Sequence, residues 1–209
     1  GHVLEPVGGH VKGPVPDTET GVLYDQLGSD PAVFGAKLGQ RAQRLAGDRP
    51  LWIAPQVFGK PNAWKTPRRE EIRAQVWLAL AYGAKGFVHF IYQSTTGVEG
   101  DGIQGLVDMD LNQIDGRLDE LKRINADLAR MSATLLALRP VELRLPDVPD
   151  VVVARAFSGM SSTRYVVLVN TDVKQSISFV WNGVKVTDVL TGKALGPRIE
   201  LAPGDGKIL

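Results

Sequence analysis

The chain has 209 residues, with 24 Lys and Arg against 23 Asp and Glu, a formal charge of +1, and no cysteine. That length supports a sizeable core in one or two domains. Near-neutral charge, with no Lys/Arg cluster or aromatic-interleaved basic stripe, argues against a nucleic-acid footprint, and the lack of cysteine excludes disulfides, thiolate nucleophiles and Cys-based metal sites. No apolar run approaches a membrane span, and no signal peptide is visible in this chain.

Residues 1–30 are rich in Gly and Pro ("EPVGGHVKGPVPD") without periodicity and read as an extended loop or tether. His2 and His10 have no partners at metal-ligand spacing, so no metal and no cofactor is expected. Asp30-Pro31 then opens a helix, with Phe34, Leu38, Ala42 and Leu45 at helical spacing and Gly47 ending it. Leu51 to Val57 is a short apolar run of strand length, followed by a loop, 58–65, that carries Gly59, Pro61 and Trp64.

Thr66-Pro67 supplies an N-cap and a proline at the first helical position. Ile72, Val76, Ala79 and Leu80 share one helical face, which Trp77 and Leu78 broaden, so the helix over 67–82 should be largely buried. Gly83 stops it, and residues 86–92 form a second apolar run. Strand, helix and strand predict a parallel βαβ unit with a right-handed crossover, and hence an α/β architecture with a covered sheet.

A long loop, 93–113, carries Glu99, Asp101, Asp108 and Asp110. The next helix runs from about Asp115 to Ala137, with Leu118, Leu121, Ile124, Leu128, Met131 and Leu135 in steps of three and four. Pro140 marks a change of regime. Residues 141–209 alternate β-branched and aromatic runs with turn residues (Asn182-Gly183, Thr191-Gly192, Pro203-Gly204), which predicts a small antiparallel β-sandwich packed on the 115–137 helix. The predicted organisation is a tether over 1–30, an α/β region over 31–139 and an all-β domain over 140–209.

"PLWIAPQVFG", "TPRREEIRAQVWLALAYGAKG" and "FVHFIY" resemble strand seven, helix seven and strand eight of a (β/α)8-barrel glycoside hydrolase of the β-galactosidase-like type. "GLVDMDLNQIDGRLDELKRINADLARM" resembles the loop and helix after strand eight, and the ending "VTDVLTGKAL…RIELAPGDGKIL" the C-terminal β-sandwich. The resemblance covers roughly residues 31–209. It implies a partial TIM-type barrel, the last two or three β/α units, because a complete barrel takes about 250 residues. It also implies hydrolysis of β-linked glycosides such as galactosides, with a carbohydrate as partner and no nucleic acid or membrane. The alternative is a non-catalytic carbohydrate-binding or structural fragment without the carboxylate pair.

Retaining glycosidases use two carboxylates about 5–5.5 Å apart. The resemblance puts the acid/base on strand four, outside this sequence, and the nucleophile near the end of strand seven, where Gln56 stands. Gln56 cannot ionise. It can hydrogen-bond a sugar hydroxyl, or tie loops together at the barrel mouth. His89 reads either as a polar group in the barrel mouth or as a core histidine with a backbone partner. Tyr92 and Gln93 end the second strand and suit ligand contact, and Trp64 suits sugar stacking or a lid over a neighbouring helix. Glu99 and Asp101 are the candidate catalytic acids, against a reading as solvated loop carboxylates. Asp108 and Asp110 read as turn residues, and Glu70 and Glu71 as carboxylates at a helix N-terminus. A half-barrel would leave an open strand edge and a bare apolar face, so a homo-oligomer or pairing with a missing N-terminal half-barrel is expected.

Overall fold

The computed structural model describes residues 40–47, 49–96, 102–182 and 185–209. In chain order they form α1 (Gln40–Ala46), β1 (Leu51–Ile53), α2 (Arg69–Ala81), β2 (Ala84–Phe87), α3 (Arg117–Ala137), β3 (Arg139–Pro140), β4 (Val152–Ser158), β5 (Arg164–Asn170), β6 (Ile177–Val180), β7 (Arg198–Leu201) and β8 (Gly206–Ile208). The predicted start of the first helix, at Asp30-Pro31, lies outside the described residues. Its end is at Gly47, which takes φ +55°.

β1 and β2 are adjacent and parallel, with Trp52 opposite Gly86 and Ile53 opposite Phe87. Pairing resumes at Gln56 and Phe90. Both strands are shorter than the predicted 51–57 and 86–92, and β2 begins two residues earlier. Pro55 has no N–H to give a ladder. Beyond it, the Gln75 amide on α2 takes the Gln56 backbone as a neighbouring strand would, accepting from its N–H (2.9 Å) and donating to its C=O (3.2 Å). Among the described residues this parallel sheet has two strands.

α2 starts at Arg69 rather than directly after a Thr66 cap. The Glu71 carboxylate takes over the capping, accepting from the Arg68 N–H (2.8 Å) and from the Lys65 ammonium. Thr66 is instead pressed against Gly59, where a Cβ would stand 2.0 Å from the Thr66 Oγ1. Gly83, at φ +86°, ends the helix as the sequence predicts.

The C-terminal residues form two antiparallel sheets, β3-β4-β5-β8 and β6-β7. β5 divides its side chains between two cores, as strand alternation requires. Val167 and Val169 join Phe157, Ile208 and the buried faces of α2 and α3. Val166 and Leu168 join Phe179, Trp181, Ile199 and Leu201 across the second sheet. The four-stranded sheet was expected to rest on the 115–137 helix, but its closest approach is to α2. At Gly206 a Cβ would lie 2.5 Å from the Trp77 ring, and at Gly204 one would lie 2.1 Å from the Glu70 carbonyl, so two glycines let the β8 hairpin lie directly on α2. Arg73 fastens the assembly, bonding Glu120 on α3 (2.5 Å) and Asp205 before β8 (3.0 Å). No helix among the described residues is long and apolar enough to cross a membrane.

Candidate functional site

The parallel pairing carries the chain after β1 and the chain after β2 to the same end of the sheet. Val57 N–H donates to Phe90 O (3.4 Å), and Lys60 and Trp64 close the intervening loop by each donating its backbone N–H to the other's C=O (2.9 Å both). The Phe58 ring packs edge-on against both Trp64 and Phe90, each at 5.6 Å between centroids. Lys60 places its ammonium 5.7 Å from the Trp64 ring centroid. Three aromatic rings and a cation therefore meet where the sequence analysis named only Trp64.

Gln56 sits at the base of this cluster. Its side-chain amide donates to Phe58 O (2.8 Å) and Lys65 O (2.9 Å), so it ties both ends of the 58–65 loop to the strand. Its backbone is held by Gln75 as described above. The structure thus commits the Gln56 amide nitrogen to loop carbonyls.

Val88 and Phe90 point away from the helices, and Phe90 and Tyr92 are 42% and 54% exposed. Trp52 is 58% exposed on the same side, its indole laid over Gly86, where a Cβ would come within 2.7 Å of the ring. His89 takes the other side. Its ring stacks on Phe87 (6.2 Å, 27°), which packs on the helix core, and its buried Nε2 has no hydrogen-bond partner among the described residues. Burial lowers its pKa, so it is a neutral imidazole at neutral pH. Gln93 donates from its amide to Met109 O (3.1 Å), bracing the next loop.

Glu99 and Asp101 lie outside the described residues. Nearby acids are committed to structure. Asp108 Oδ1 accepts from the N–H groups of Asp110 (2.9 Å) and Asn112 (2.8 Å), and its Oδ2 from the Asn112 amide (3.1 Å). These bonds, the Asn112 side chain's first, hold its pKa down. Asp115 Oδ1 accepts from Arg117 Nε (2.6 Å). Among the described residues no group of three or more His, Asp or Glu is placed to hold a metal ion.

Arg117 was not singled out from sequence. Its guanidinium is buried, donating from Nη1 to Val57 O (2.6 Å) and from Nη2 to Gly105 O (2.8 Å). Gly105 lies against the backbone of 91–93, where a Cβ would fall 2.7 Å from Tyr92 O. One cation therefore joins the loops that follow both strands. The only signal in the sequence is an arginine in the first turn of an amphipathic helix, which ordinarily marks a solvated position.

No protein-family model matches the chain, and no curated protein matches it. Among solved structures it is similar to a Bacteroides fragilis protein provisionally named an alpha-galactosidase/melibiase, at 14% identity and a TM-score of 0.40 over 70% of this chain and 29% of that one. It is also similar to a Bacillus halodurans protein provisionally named an alpha-N-acetylgalactosaminidase, at 17% identity and a TM-score of 0.37 over 69% of this chain and 31% of the other. The chain thus spans about a third of each structure. Both names are of α-glycosidases, and neither is of a β-galactosidase. Likeness at this level does not assign a substrate or a barrel to this chain.

Proposed function

We propose that this chain is the C-terminal part of a barrel-type glycoside hydrolase, with a sugar ring bound at the C-terminal end of β1 and β2. The observation behind this reading is the grouping of Trp64, Phe58 and Phe90 at that end, with Tyr92 exposed two residues beyond Phe90, where barrel enzymes place their ligands. Flat apolar rings with polar groups beside them suit the apolar face and hydroxyl edge of a pyranose. Trp64 and Tyr92 are the stacking candidates, Gln93 a rim contact, and Glu99 and Asp101 the candidate acids. β-Linked galactosides are the substrate class the sequence resemblance favours. On this reading the face bearing Trp52, Val88 and Phe90 is the one a complete barrel covers, and an N-terminal half-barrel is the partner.

Gln56 supports a second reading, carbohydrate binding without hydrolysis, because an amide stands where the resemblance expects a nucleophile. A panel of α- and β-linked nitrophenyl glycosides separates the two. Turnover of a β-galactoside that is lost in Glu99→Gln or Asp101→Asn supports the hydrolase. A flat panel together with saturable binding of galactose supports the binding module. Neither turnover nor binding refutes both.

A further inference from the structure

A cavity of about 670 Å³ opens at the other end of the parallel pair, where α2 ends and β2 begins. Its wall includes Gln43 from α1, Tyr82 at the end of α2, Glu142 and Arg144 after β3, and Arg155 from β4. Arg155 lies over the Tyr82 ring at 5.1 Å and donates from Nη2 to the Tyr82 hydroxyl at 3.2 Å. Its remaining N–H donors meet no carboxylate among the described residues. Tyr82 Oη is the acceptor in that bond, and its own O–H likewise finds no acceptor among the described residues. Tyr82 is buried, so an unused donor there is unfavourable unless something accepts it.

We propose that this cavity binds a small organic anion, whose carboxylate or phosphate oxygens accept from the Arg155 guanidinium and the Tyr82 hydroxyl. The pairing is chemically specific. A guanidinium held over a phenol ring and bonded to its hydroxyl is pre-organised, and its remaining N–H fork matches an oxyanion. Arg144 adds positive charge at the rim against Glu142, and Leu143, Leu145 and Ala154 offer apolar wall to the body of the ligand. The volume falls within the range of small-ligand sites, about 300–1,000 Å³, so there is room for more than a bare ion.

The test is a titration of the intact chain with inorganic phosphate and, separately, with acetate, followed by the NMR resonance of the Arg155 Nε–H. Saturable binding of either anion by the wild type is expected, and which of the two saturates identifies the head group. Arg155→Gln should weaken the wild-type affinity at least tenfold, followed there through backbone amides of 142–145. Tyr82→Phe keeps the ring and its packing and should weaken binding severalfold, so it carries the test if Arg155→Gln fails to fold. No saturable binding of either anion by the wild type overturns the proposal, and so does wild-type affinity in a folded variant.

Discussion

Replacing Arg117 with Met tests how the two strand-end loops are held together. The side chain is 1% exposed, and its three bonds run to Val57 O, Gly105 O and Asp115 Oδ1. Methionine fills similar volume but leaves two carbonyls without a donor, at about 1–3 kcal/mol each. Asp115 is half exposed and rehydrates. Removing a buried cation gives back part of the loss, since its desolvation was itself unfavourable. The net expectation is a loss of about 3 kcal/mol, which for a chain of this length lowers Tm by roughly 6–12 °C. Arg117→Lys should lose nearly as much, because one ammonium cannot reproduce a fork that reaches two carbonyls and a carboxylate. Urea unfolding of the three proteins side by side measures this. A loss below about 1 kcal/mol in Arg117→Met would refute the reasoning, because both carbonyls would then have found other donors at no cost.

Three further outcomes are expected. Trp64→Ala should weaken galactose binding by about 1–3 kcal/mol if the ring stacks, by analogy with base stacking on aromatic side chains; unchanged affinity would leave Trp64 as a cover for Phe58. Lys85 donates to Leu135 O and Leu138 O at the end of α3, and desolvation, with Arg139 nearby, lowers its pKa from 10.5 to about 8. The unfolded chain then binds more protons between those values, so stability should rise with pH from about 8 to 10.5 and level off above. A neutral amine keeps two N–H donors for the two carbonyls; Lys85→Met should flatten the rise, and an unaltered slope would assign it to another group. Finally, the bare face with Trp52, Val88 and Phe90 should make sedimentation concentration-dependent at micromolar protein. A monomer throughout that range would argue that the two-stranded sheet needs no further strands.

What the sequence made legible follows the range of the forces involved. The βαβ unit, the ends of α1 and α2 at Gly47 and Gly83, the long amphipathic helix and the antiparallel character of 141–209 are local signals: periodicity, positive φ and turn chemistry. Asp108 is also local, since its turn closes within four residues. Thr66 misled because Gly59, seven residues upstream, claims its side chain and leaves the cap to Glu71. The sheet's seat on α2 depends on Gly204 and Gly206 meeting Glu70 and Trp77, contacts more than 120 residues apart in sequence. His89 could be read for either face because period-two alternation fixes a side only once the helices have been placed.

The chemistry of the site turns on which polar groups remain uncommitted. Gln56 ties its loop, Gln93 holds Met109 O, and the carboxylates of Glu71, Asp108 and Asp115 serve a helix cap, a turn and a buried guanidinium. The two amides keep their Oε1 acceptors, but the three carboxylates would have to give up structural bonds to act as acids, and a general acid must be free to exchange its proton at the reacting oxygen. That constraint does not touch aromatic stacking, which needs only exposed ring surface, and Tyr92 supplies it without breaking any bond. Binding and hydrolysis therefore draw on different parts of the chain. In the proposed function, binding rests on the aromatic cluster at the strand ends and hydrolysis needs carboxylates beyond those already committed, so Glu99→Gln and Asp101→Asn are the variants that test whether the two activities separate.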